Sequence, residues 1–222
     1  MKTGDNETPP AEQLADGMLL LHSVLDRTDQ EALVAALKEV AAAAPFFTPR
    51  MPRTAKPFSV AMTNCGPLGW VSDVKGYRYQ PTHPETGRPW PAMPALVLEL
   101  WQGLAGYPHP PEACLVNYYR PGARMGLHQD SDEEDFDAPV LSVSLGDTCV
   151  FRVGGTRRKD PTRSVRLASG DVVVLGGPAR LAYHGVDRLI ANSSCLLRDW
   201  LPEGGRINLT MRRVSRPHVT PV

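Results

Sequence analysis

The spacing of hydrophobic residues changes near the middle of the chain. Up to residue 44, apolar residues recur at the three- and four-residue intervals of an amphipathic helix, and a shorter run over 95–103 also has helical character. From residue 114 onward, apolar and polar residues alternate, which is typical of strands with one buried face. We therefore predict a helix from the capping-box sequence at Thr28 to Pro45, a short helix over 95–103, and a strand-rich C-terminal half.

The predicted strands in the C-terminal half are short and end at Gly, Asp or Pro. Such a series indicates an antiparallel sandwich or a jelly roll. Residues 45–94 differ, because their many prolines forbid long regular elements and indicate short strands and loops. The predicted C-terminal strands are 140–145, 149–153, 164–167, 172–175 and 206–214.

Length and composition fit one globular domain. The chain has 222 residues, of which 42% are hydrophobic and 22% are charged. Lys plus Arg and Asp plus Glu each total 24, so the net charge gives no argument for a nucleic-acid partner, which would have to be recognised locally. The 4 cysteines lie far apart without a Cys-x-x-Cys pair, which argues against a zinc knuckle and predicts reduced thiols.

The sequence gives no indication of a membrane segment. Residues 1–17 are polar, unlike a signal peptide, and no apolar run approaches the roughly 18 to 20 residues that span a bilayer. We expect a cytoplasmic, monomeric protein that does not bind membranes. Its predicted parts are a polar N-terminal tail (1–16), a single domain (17–214) and a C-terminal tail (215–222).

Two histidines and an aspartate have the spacing of a metal site. His128 and Asp130 are two residues apart, so in an extended segment their side chains project from the same face and can bind one ion. His184, which follows the apolar strand 172–175, can complete the set. Two imidazoles and one carboxylate with open coordination positions form the facial triad of non-haem Fe(II) oxygenases. Either histidine alone would more often be an ordinary hydrogen-bonded residue, so the prediction rests on all three.

The last predicted strand alternates between polar and apolar residues without a break. Its polar face carries two arginines, whose planar guanidinium groups suit a bidentate contact with a carboxylate. An ordinary half-exposed strand would have the same pattern. The candidate triad upstream favours a polar pocket instead. The residues of the polar face are Arg206, Asn208, Thr210 and Arg212.

Seven short motifs carry a resemblance to a known family. They are residues 59–66, 89–94, 117–123, 128–130, 142–146, 183–185 and 206–212. Together they resemble the AlkB family of Fe(II)- and 2-oxoglutarate-dependent dioxygenases, which repair alkylated bases in nucleic acids. The resemblance implies a mainly β fold with flanking helices. It would have a double-stranded β-helix (jelly-roll) core over 95–214, preceded by a helix-and-strand extension with a nucleotide-recognition lid over 17–94.

The same resemblance implies roles for individual residues. The catalytic residues, which would hold Fe(II), are His128, Asp130 and His184. The residues that would surround 2-oxoglutarate are Asn117, Tyr119, Arg206, Asn208 and Arg212. The residues that would contact the substrate are Trp70, Tyr77, Tyr79, Asp132, Glu133 and Arg158. The implied reaction consumes O2 and 2-oxoglutarate and releases succinate, CO2 and an aldehyde, which is formaldehyde when a methyl group is removed.

Three of these substrate contacts also have a physical argument. Trp70 can provide the stacking surface that an unpaired or flipped base requires, although a lone tryptophan is more often part of a core. Asp132 lies in an acidic run that would otherwise form a solvated loop, and its carboxylate would favour a positively charged N-methylated base. Arg158 belongs to a basic cluster with residues 157, 159, 163 and 166, which suits phosphate contacts as well as surface solubility.

The predicted function is oxidative dealkylation of bases such as 1-methyladenine and 3-methylcytosine in single-stranded DNA, with double-stranded DNA and RNA as alternatives. Two other functions stay open: a 2-oxoglutarate-dependent hydroxylase of a protein or small molecule, and a non-catalytic nucleic-acid-binding module. The intact triad and both arginines argue against the second. One segment departs from the family pattern, because residues 50–58 of the lid are basic and contain prolines in place of the usual Gly-Gly-Tyr character.

Overall fold

A computed structural model describes residues 10–217 of the chain. In this range, two antiparallel β-sheets lie face to face, a short hairpin lies beside them, and two helices, α1 (Arg27–Ala43) and α2 (Ala95–Leu104), cover the outer face of the larger sheet. The predicted class, mainly β with flanking helices, is confirmed. The strands are β1 (Ala11–Ala15), β2 (Met18–Leu21), β3 (Val60–Cys65), β4 (Gly69–Asp73), β5 (Gly76–Gln80), β6 (Ala113–Tyr119), β7 (Met125–His128), β8 (Val140–Gly146), β9 (Cys149–Val153), β10 (Arg163–Leu167), β11 (Val172–Leu175), β12 (His184–Leu189) and β13 (Arg206–Arg212).

The strand order explains how the chain brings distant residues together. The larger sheet has the order β1-β2-β11-β8-β13-β6-β3, the smaller sheet has the order β10-β9-β12-β7, and β4 pairs with β5 in the hairpin. From β6 onward the chain passes repeatedly from one sheet to the other, with only β9 and β10 consecutive in the same sheet. This alternation is the double-stranded β-helix that the sequence motifs imply.

Apart from its β1 edge, the larger sheet is mostly buried on both faces, which gives the domain two layers of core. On the outer face, residues of β13 such as Met211 pack with Leu37 of α1 and Trp101 of α2. The inner face packs against the smaller sheet, for example Val173 with Phe151. Because both faces are covered, β3 and β6 are buried along their whole length.

Helix α1 begins earlier than the capping-box sequence predicts. The side chain of Asp26 accepts a hydrogen bond from the backbone N–H of Asp29 at 2.8 Å, so Asp26 is the N-cap and Thr28 lies inside the first turn. The prediction that the helix starts at Thr28 is therefore wrong. The end is as expected, since Ala44 is the C-cap and Pro45 follows it.

The predicted N-terminal tail is longer than the structure allows. Strand β1 falls within 1–16 and pairs with β2 at the edge of the larger sheet, while residues 1–9 lie outside the described range. At the other end, the backbone N–H of Ser215 donates to Glu112 Oε2 at 2.7 Å, so the packed structure continues past 214. Residues 218–222 also lie outside the described range.

The extension over 17–94 and the core over 95–214 share one sheet. Strand β3, from the extension, is hydrogen-bonded to β6 of the core along its full length, and β2 pairs with β11. The single-domain prediction therefore fits the strand pairing better than a division at residue 94. Between residues 10 and 217 no helix is long and apolar enough to cross a membrane. The four cysteines all lie in this range and are free.

Candidate active site

Strand pairing brings the two predicted metal-binding histidines side by side. His128 is the last residue of β7 and His184 is the first residue of β12, and the two are direct partners in the ladder, with ring centroids 4.5 Å apart. Asp130 follows β7 by two residues, and its carboxylate lies 3.8 Å from the Nε2 atom of each histidine. One ligand atom from each residue lies within 4.8 Å of the others. The sequence-predicted triad is therefore assembled in space.

Backbone carbonyls fix the orientation of both imidazoles. The Nδ1 atoms of His128 and His184 each lie 3.0 Å from a carbonyl oxygen, that of Gly126 and that of Ala182. A carbonyl oxygen only accepts hydrogen bonds, so Nδ1 carries a proton in each ring, and in the neutral imidazole the lone pair of Nε2 is directed towards Asp130. This is the arrangement that metal-binding histidines use.

The charge states of the triad also suit metal binding. Burial, with a further contribution from the neighbouring His128, lowers the pKa of His184 to about 4, so the His184 imidazole is neutral at pH 7. Burial acts to raise the pKa of Asp130, but Arg212 and the two histidines outweigh it and hold that pKa well below its usual range. The site therefore offers one carboxylate and at least one neutral imidazole without first releasing protons.

The low pKa of His184 predicts that the metal-free protein loses stability on mild acidification. The unfolded chain, with a pKa near 6.5, takes up a proton that the folded chain, with a pKa of about 4, does not, so stability falls as the pH drops from 6.5 to 4. Between pH 7 and pH 5 the loss is on the order of 2 kcal/mol. We expect the urea midpoint of chelator-treated protein to fall over this interval, and to fall less in the His184→Gln variant. An equal fall in both proteins would contradict this assignment.

The atoms left without hydrogen-bond partners point to groups that the site is built to bind. Among the buried side-chain atoms of the described residues, the unpartnered ones are Asn117 Oδ1, Asp130 Oδ2, Arg206 Nε, Arg212 Nε and Arg212 Nη1. All four residues line one cavity of about 760 Å³ together with both histidines. Buried polar atoms without partners are costly, so their concentration here fits a cation at the carboxylate and an anion at the guanidinium groups.

The five predicted 2-oxoglutarate residues all line this cavity. Arg206 is fully buried and is held by Ser144 Oγ at 2.6 Å and by the carbonyl oxygen of Leu167 at 3.3 Å. Asn208 donates to Ser142 Oγ at 2.7 Å and lies opposite Asn117 on the neighbouring strand β6. The predicted alternation of β13 is thus confirmed, with Ile207 and its apolar neighbours in the core and the polar face on the cavity.

Arg212 has a different environment from Arg206. Its Nη2 atom lies 2.9 Å from Asp130 Oδ1, and its Nε atom lies 3.4 Å from Glu133 Oε1. It is therefore already paired with the metal-binding carboxylate. Among the described residues no carboxylate forms a salt bridge with Arg206, so its charge is available to a carboxylate of the co-substrate. Arg212 contacts Asp130, and its Nε and Nη1 atoms have no hydrogen-bond partner.

Two predicted substrate contacts, Tyr79 and Glu133, occupy a buried ion-pair network. The Tyr79 hydroxyl donates to Glu133 Oε1, and Arg180 Nη2 donates to Glu133 Oε2 at 3.0 Å. Burial, with a further contribution from Glu133, raises the pKa of Tyr79 well above its ordinary value, which keeps the hydroxyl protonated as a donor. Because both carboxylate oxygens of Glu133 have protein partners, these contacts favour a positioning role for Tyr79 and Glu133 over direct contact with a base.

Arg180 is a site residue that the sequence did not reveal. Its Nη1 atom donates to the backbone oxygen of Asp130 at 2.7 Å and its Nε atom donates to the backbone oxygen of Ala138 at 2.9 Å, so it fixes the segment that follows β7. The residue is buried and sits just after the 3-10 turn Gly177–Ala179. Arg180 is the single charged residue in the mostly apolar stretch before His184, and this pattern could have indicated a role in the site.

Three predicted substrate residues form one cluster at the mouth of the cavity. The rings of Trp70 and Tyr77 are stacked with centroids 5.5 Å apart and planes 19° apart, and Trp70 Nε1 donates to Asp132 Oδ2 at 2.7 Å. Trp70 is only partly buried, which is what a stacking surface needs and what a core tryptophan would lack. Trp70, Tyr77 and Asp132 all line the cavity.

The rim also carries Arg158 and the divergent segment 50–58. Arg158 Nη1 donates to the backbone oxygen of Leu127 at 3.3 Å, and its guanidinium lies 5.7 Å from the centre of the Tyr183 ring. Within 50–58, the chain reverses between Arg50 and Pro57, and Met51, Pro57 and Phe58 reach the cavity. This segment therefore forms part of the cavity wall.

Comparison with known proteins agrees with this geometry. Residues 17–212 match the 2OG-Fe(II) oxygenase superfamily. The chain belongs to that superfamily. A solved structure of OsALKBH1 superposes with a TM-score of 0.78 at 31% identity, covering 92% of this chain and 100% of that one.

The curated relatives define the family more narrowly. An alpha-ketoglutarate-dependent dioxygenase AlkB homolog of Caulobacter vibrioides is 62% identical over 86% of this chain and 84% of its own length. The dioxygenase AlkB of Escherichia coli is 44% identical over 94% of this chain and 95% of its own. The chain is thus a member of the AlkB family and a 2-oxoglutarate- and Fe(II)-dependent dioxygenase. The predicted requirement for Fe(II), 2-oxoglutarate and O2 is confirmed.

Proposed function

We propose that the chain removes alkyl groups oxidatively from nucleic-acid bases such as 1-methyladenine and 3-methylcytosine, with single-stranded DNA as the main substrate. One observation carries this proposal: the metal triad, the buried arginine and the Trp70–Tyr77–Asp132 cluster all line the same cavity. A co-substrate bound by Arg206 and a base stacked on Trp70 would therefore lie in one enclosure with the residues that would hold the metal.

The triad and Arg206 have separate roles in this reaction. His128, Asp130 and His184 would hold Fe(II), and Arg206 would neutralise a carboxylate of 2-oxoglutarate. When bound, Fe(II), 2-oxoglutarate and O2 supply the oxidising power for hydroxylating a C–H bond, with succinate and CO2 as products. Hydroxylation of an N-methyl carbon gives a hemiaminal, whose C–N bond breaks to release formaldehyde and the restored base. The phosphodiester chain stays intact.

The mouth cluster would select the base. Stacking between aromatic rings and a base contributes about 1 to 3 kcal/mol and does not depend on base identity. The Asp132 carboxylate adds a negative charge beside that surface, and it can accept a hydrogen bond from an exocyclic amine. Since Asp132 holds Trp70 through the indole N–H, a bound cationic base would compete for, or share, this carboxylate.

Relatives with more distant sequences act on different nucleic acids. A protein of Arabidopsis thaliana that is 41% identical over 46% of this chain is a DNA N(6)-methyladenine demethylase, and one of Schizosaccharomyces pombe that is 41% identical over 37% is a tRNA demethylase. These names support a nucleic-acid substrate for this chain. Single-stranded DNA, the monomeric state and the cytoplasmic location stay predictions from the sequence.

Lesion preference tests the role of the mouth cluster. We expect Trp70→Ala to lower kcat/KM for all modified bases together, by about tenfold or more, because stacking is insensitive to base identity. We expect Asp132→Ala to harm the cationic lesions 1-methyladenine and 3-methylcytosine more than a neutral etheno adduct. The measurement is kcat/KM on matched single-stranded oligonucleotides for the parent and both variants.

Equal iron loading has to be confirmed for all three proteins. Glu134→Ala, which removes an exposed carboxylate of the same acidic run that does not line the cavity, provides a matched control that should leave all lesions unaffected. Equal losses on every lesion for Asp132→Ala would remove its selective role and leave it as the anchor of Trp70.

Features of the site argue against both alternatives, the non-catalytic binding module and the hydroxylase of a protein or small molecule. A non-catalytic module would have no use for a complete, correctly oriented triad beside an arginine with an unpartnered Nε atom. A hydroxylase of a protein or small molecule would use the same triad, so only the residues at the mouth of the cavity distinguish it from a base demethylase. The stacked aromatic pair with an adjacent carboxylate favours a flat cationic base.

A further inference from the structure

The basic cluster predicted from 157–159, 163 and 166 is divided in space. Arg157 pairs with Asp160 at 3.0 Å, and Arg163 lies 3.6 Å from Glu12 and donates to the backbone oxygen of Gln13. Of the cluster, only Arg158 lines the cavity, and Arg166 projects from the face of β10 opposite to that of Arg163. A phosphate-binding role for the whole cluster is therefore not what the structure supports.

Arg166 instead belongs to a group of arginines on the outer face of the smaller sheet. The inner face of β9 carries Phe151, which packs in the core, so Val150 and Arg152 face outward. In the strand register, Val150 has Arg166 of β10 on one side and Arg188 of β12 on the other. The Cα atoms of Arg166 and Arg188 are thus about 10 Å apart, which is twice the spacing between neighbouring strands. Arg152 is a diagonal neighbour of both residues.

A β-bulge creates this arrangement. The register between β12 and β9 shifts between Val186 and Arg188, so β12 carries the extra residue Asp187. As a result Asp187 reaches Arg152, with the carboxylate 2.9 Å from the guanidinium, and Arg188 still projects from the outer face beside Val150. The bulge therefore places an acidic and a basic residue in succession on the same face of the sheet.

The charges on this face do not cancel. Arg152 is paired with Asp187, whereas neither Arg166 nor Arg188 makes a salt bridge or a side-chain hydrogen bond to any residue from 10 to 217. Both side chains are exposed. Asp187 is the acid that contacts the group, so two positive charges are left over. We refer to Arg152, Arg166 and Arg188 as the outer arginine group.

The outer arginine group lies close to the mouth of the cavity. Arg158 lies over Tyr183, and Tyr183 is two residues from Gly185, the register partner of Arg152. Two residues along a strand and one strand across correspond to about 7 and 5 Å. A chain of phosphates that passes Arg158 would therefore meet Arg152 next, and then Arg166 or Arg188.

We propose that the outer arginine group binds the phosphate backbone of the nucleic-acid strand beyond the nucleotides at the catalytic cavity. This inference rests on the proposed nucleic-acid substrate and extends it to a second contact surface. Exposed, unpaired arginines on an open sheet face offer the charge complementarity that a polyanion needs, and they carry no information about sequence. The surface would therefore add affinity for long strands without changing which base is repaired.

The length of the oligonucleotide distinguishes binding at the outer arginine group from binding at the catalytic site. We would compare the parent with an Arg166→Gln/Arg188→Gln protein, using a 3-methylcytosine trinucleotide and a 20-nucleotide single strand with the same lesion. For the long strand, we expect binding at least roughly fivefold weaker at 50 mM salt and a slope of log affinity against log salt that is smaller by about 1.4, since two phosphate contacts are lost. For the trinucleotide, affinity and kcat/KM should not change.

A matched control removes the same charge elsewhere. Arg27→Gln/Lys38→Gln on α1 lowers the net charge equally on the far side of the larger sheet, and it should leave the long-strand slope unchanged. Arg166→Glu/Arg188→Glu should enlarge the effect on the long strand. Thermal unfolding would confirm that each variant is folded.

The outcomes are distinguishable. An unchanged slope for the long strand overturns the proposal and leaves the outer arginine group free for an acidic protein partner or none. Equal losses on the trinucleotide and the long strand overturn it too, because the substitutions would then act on the catalytic site. If the parent neither binds nor demethylates either oligonucleotide, the proposed function fails, and this surface fails with it.

Discussion

Replacing Asp130 by Ala is expected to lower turnover by about a thousandfold or more and to prevent stoichiometric Fe(II) binding. The carboxylate is the only anionic ligand of the triad, and its position between His128 and His184 joins the two imidazoles into one site. Losing several kcal/mol of metal-derived stabilisation corresponds to about three powers of ten in rate. Metal content after chelation and reloading, together with formaldehyde release, measures both effects.

The structure adds a cost in stability to this substitution. Asp130→Ala removes the partner of the buried Arg212 guanidinium and leaves it with Glu133 at 3.4 Å, which should destabilise the fold by about 3 to 5 kcal/mol. Asp130→Asn keeps the volume and a hydrogen-bond acceptor, so it tests the metal ligand with less damage to the fold. Asp137→Ala, an exposed member of the same acidic run, is the matched control. Normal iron content and normal turnover in Asp130→Asn would contradict the assignment.

Replacing Arg206 by Ala is expected to raise the 2-oxoglutarate concentration for half-maximal turnover by at least tenfold. Ser144 Oγ and the Leu167 carbonyl hold the guanidinium rigidly in a buried position while its Nε atom has no partner. Removing one member of a desolvated charge pair costs about 3 to 5 kcal/mol, which is more than a tenfold rise in the 2-oxoglutarate requirement needs. The measurement is the 2-oxoglutarate dependence of succinate formation.

Two further variants test whether this effect is specific to Arg206. Arg206→Lys keeps the charge but loses the planar fork, so its defect should be intermediate. Arg198→Ala removes an exposed arginine that bonds to Asn192 and should leave the titration curve unchanged. If the curve for Arg206→Ala coincides with that of the parent, Arg206 does not bind the co-substrate.

Features that depend on nearby residues could be predicted from the sequence. The alternation in β13 predicted both of its faces, because a strand in contact with a core on one side and a polar cavity on the other must alternate. The same-face spacing of His128 and Asp130 predicted that their side chains would lie together and could bind the same ion. His184 could be added because it follows a buried strand, although the pairing of β12 with β7 that aligns it with His128 was not visible in the sequence.

Features that depend on distant partners could not be predicted. Glu133 was predicted to contact the substrate, whereas Tyr79, Arg180 and Arg212, from three other segments, bury its carboxylate. The polar segment of β1 lacks a continuous apolar pattern and becomes a strand by pairing with β2 at a sheet edge. At α1, both Asp26 and Thr28 are suitable caps, and only the backbone geometry distinguishes them.

The same limit applies to the basic residues. A cluster of positive charge in the sequence suggested one surface. Residues 157–159 precede β10, however, and Arg163 and Arg166 lie three residues apart on that strand and therefore project from opposite faces. Arg166 acquires its neighbours Arg152 and Arg188 through strand register and through the bulge at Asp187. Neither can be read from a single sequence.

Formaldehyde release from a methylated oligonucleotide tests the central claim most directly. The Fe(II)-loaded protein would be incubated with 2-oxoglutarate, O2 and a single strand that contains 3-methylcytosine, and formaldehyde and succinate would be measured together. The account predicts formaldehyde in proportion to repaired base, succinate formation stimulated by the methylated strand, and neither effect with the unmethylated strand or with Asp130→Asn. Succinate formation that the methylated strand does not stimulate, without formaldehyde, would contradict a base demethylase and favour a hydroxylase of another substrate.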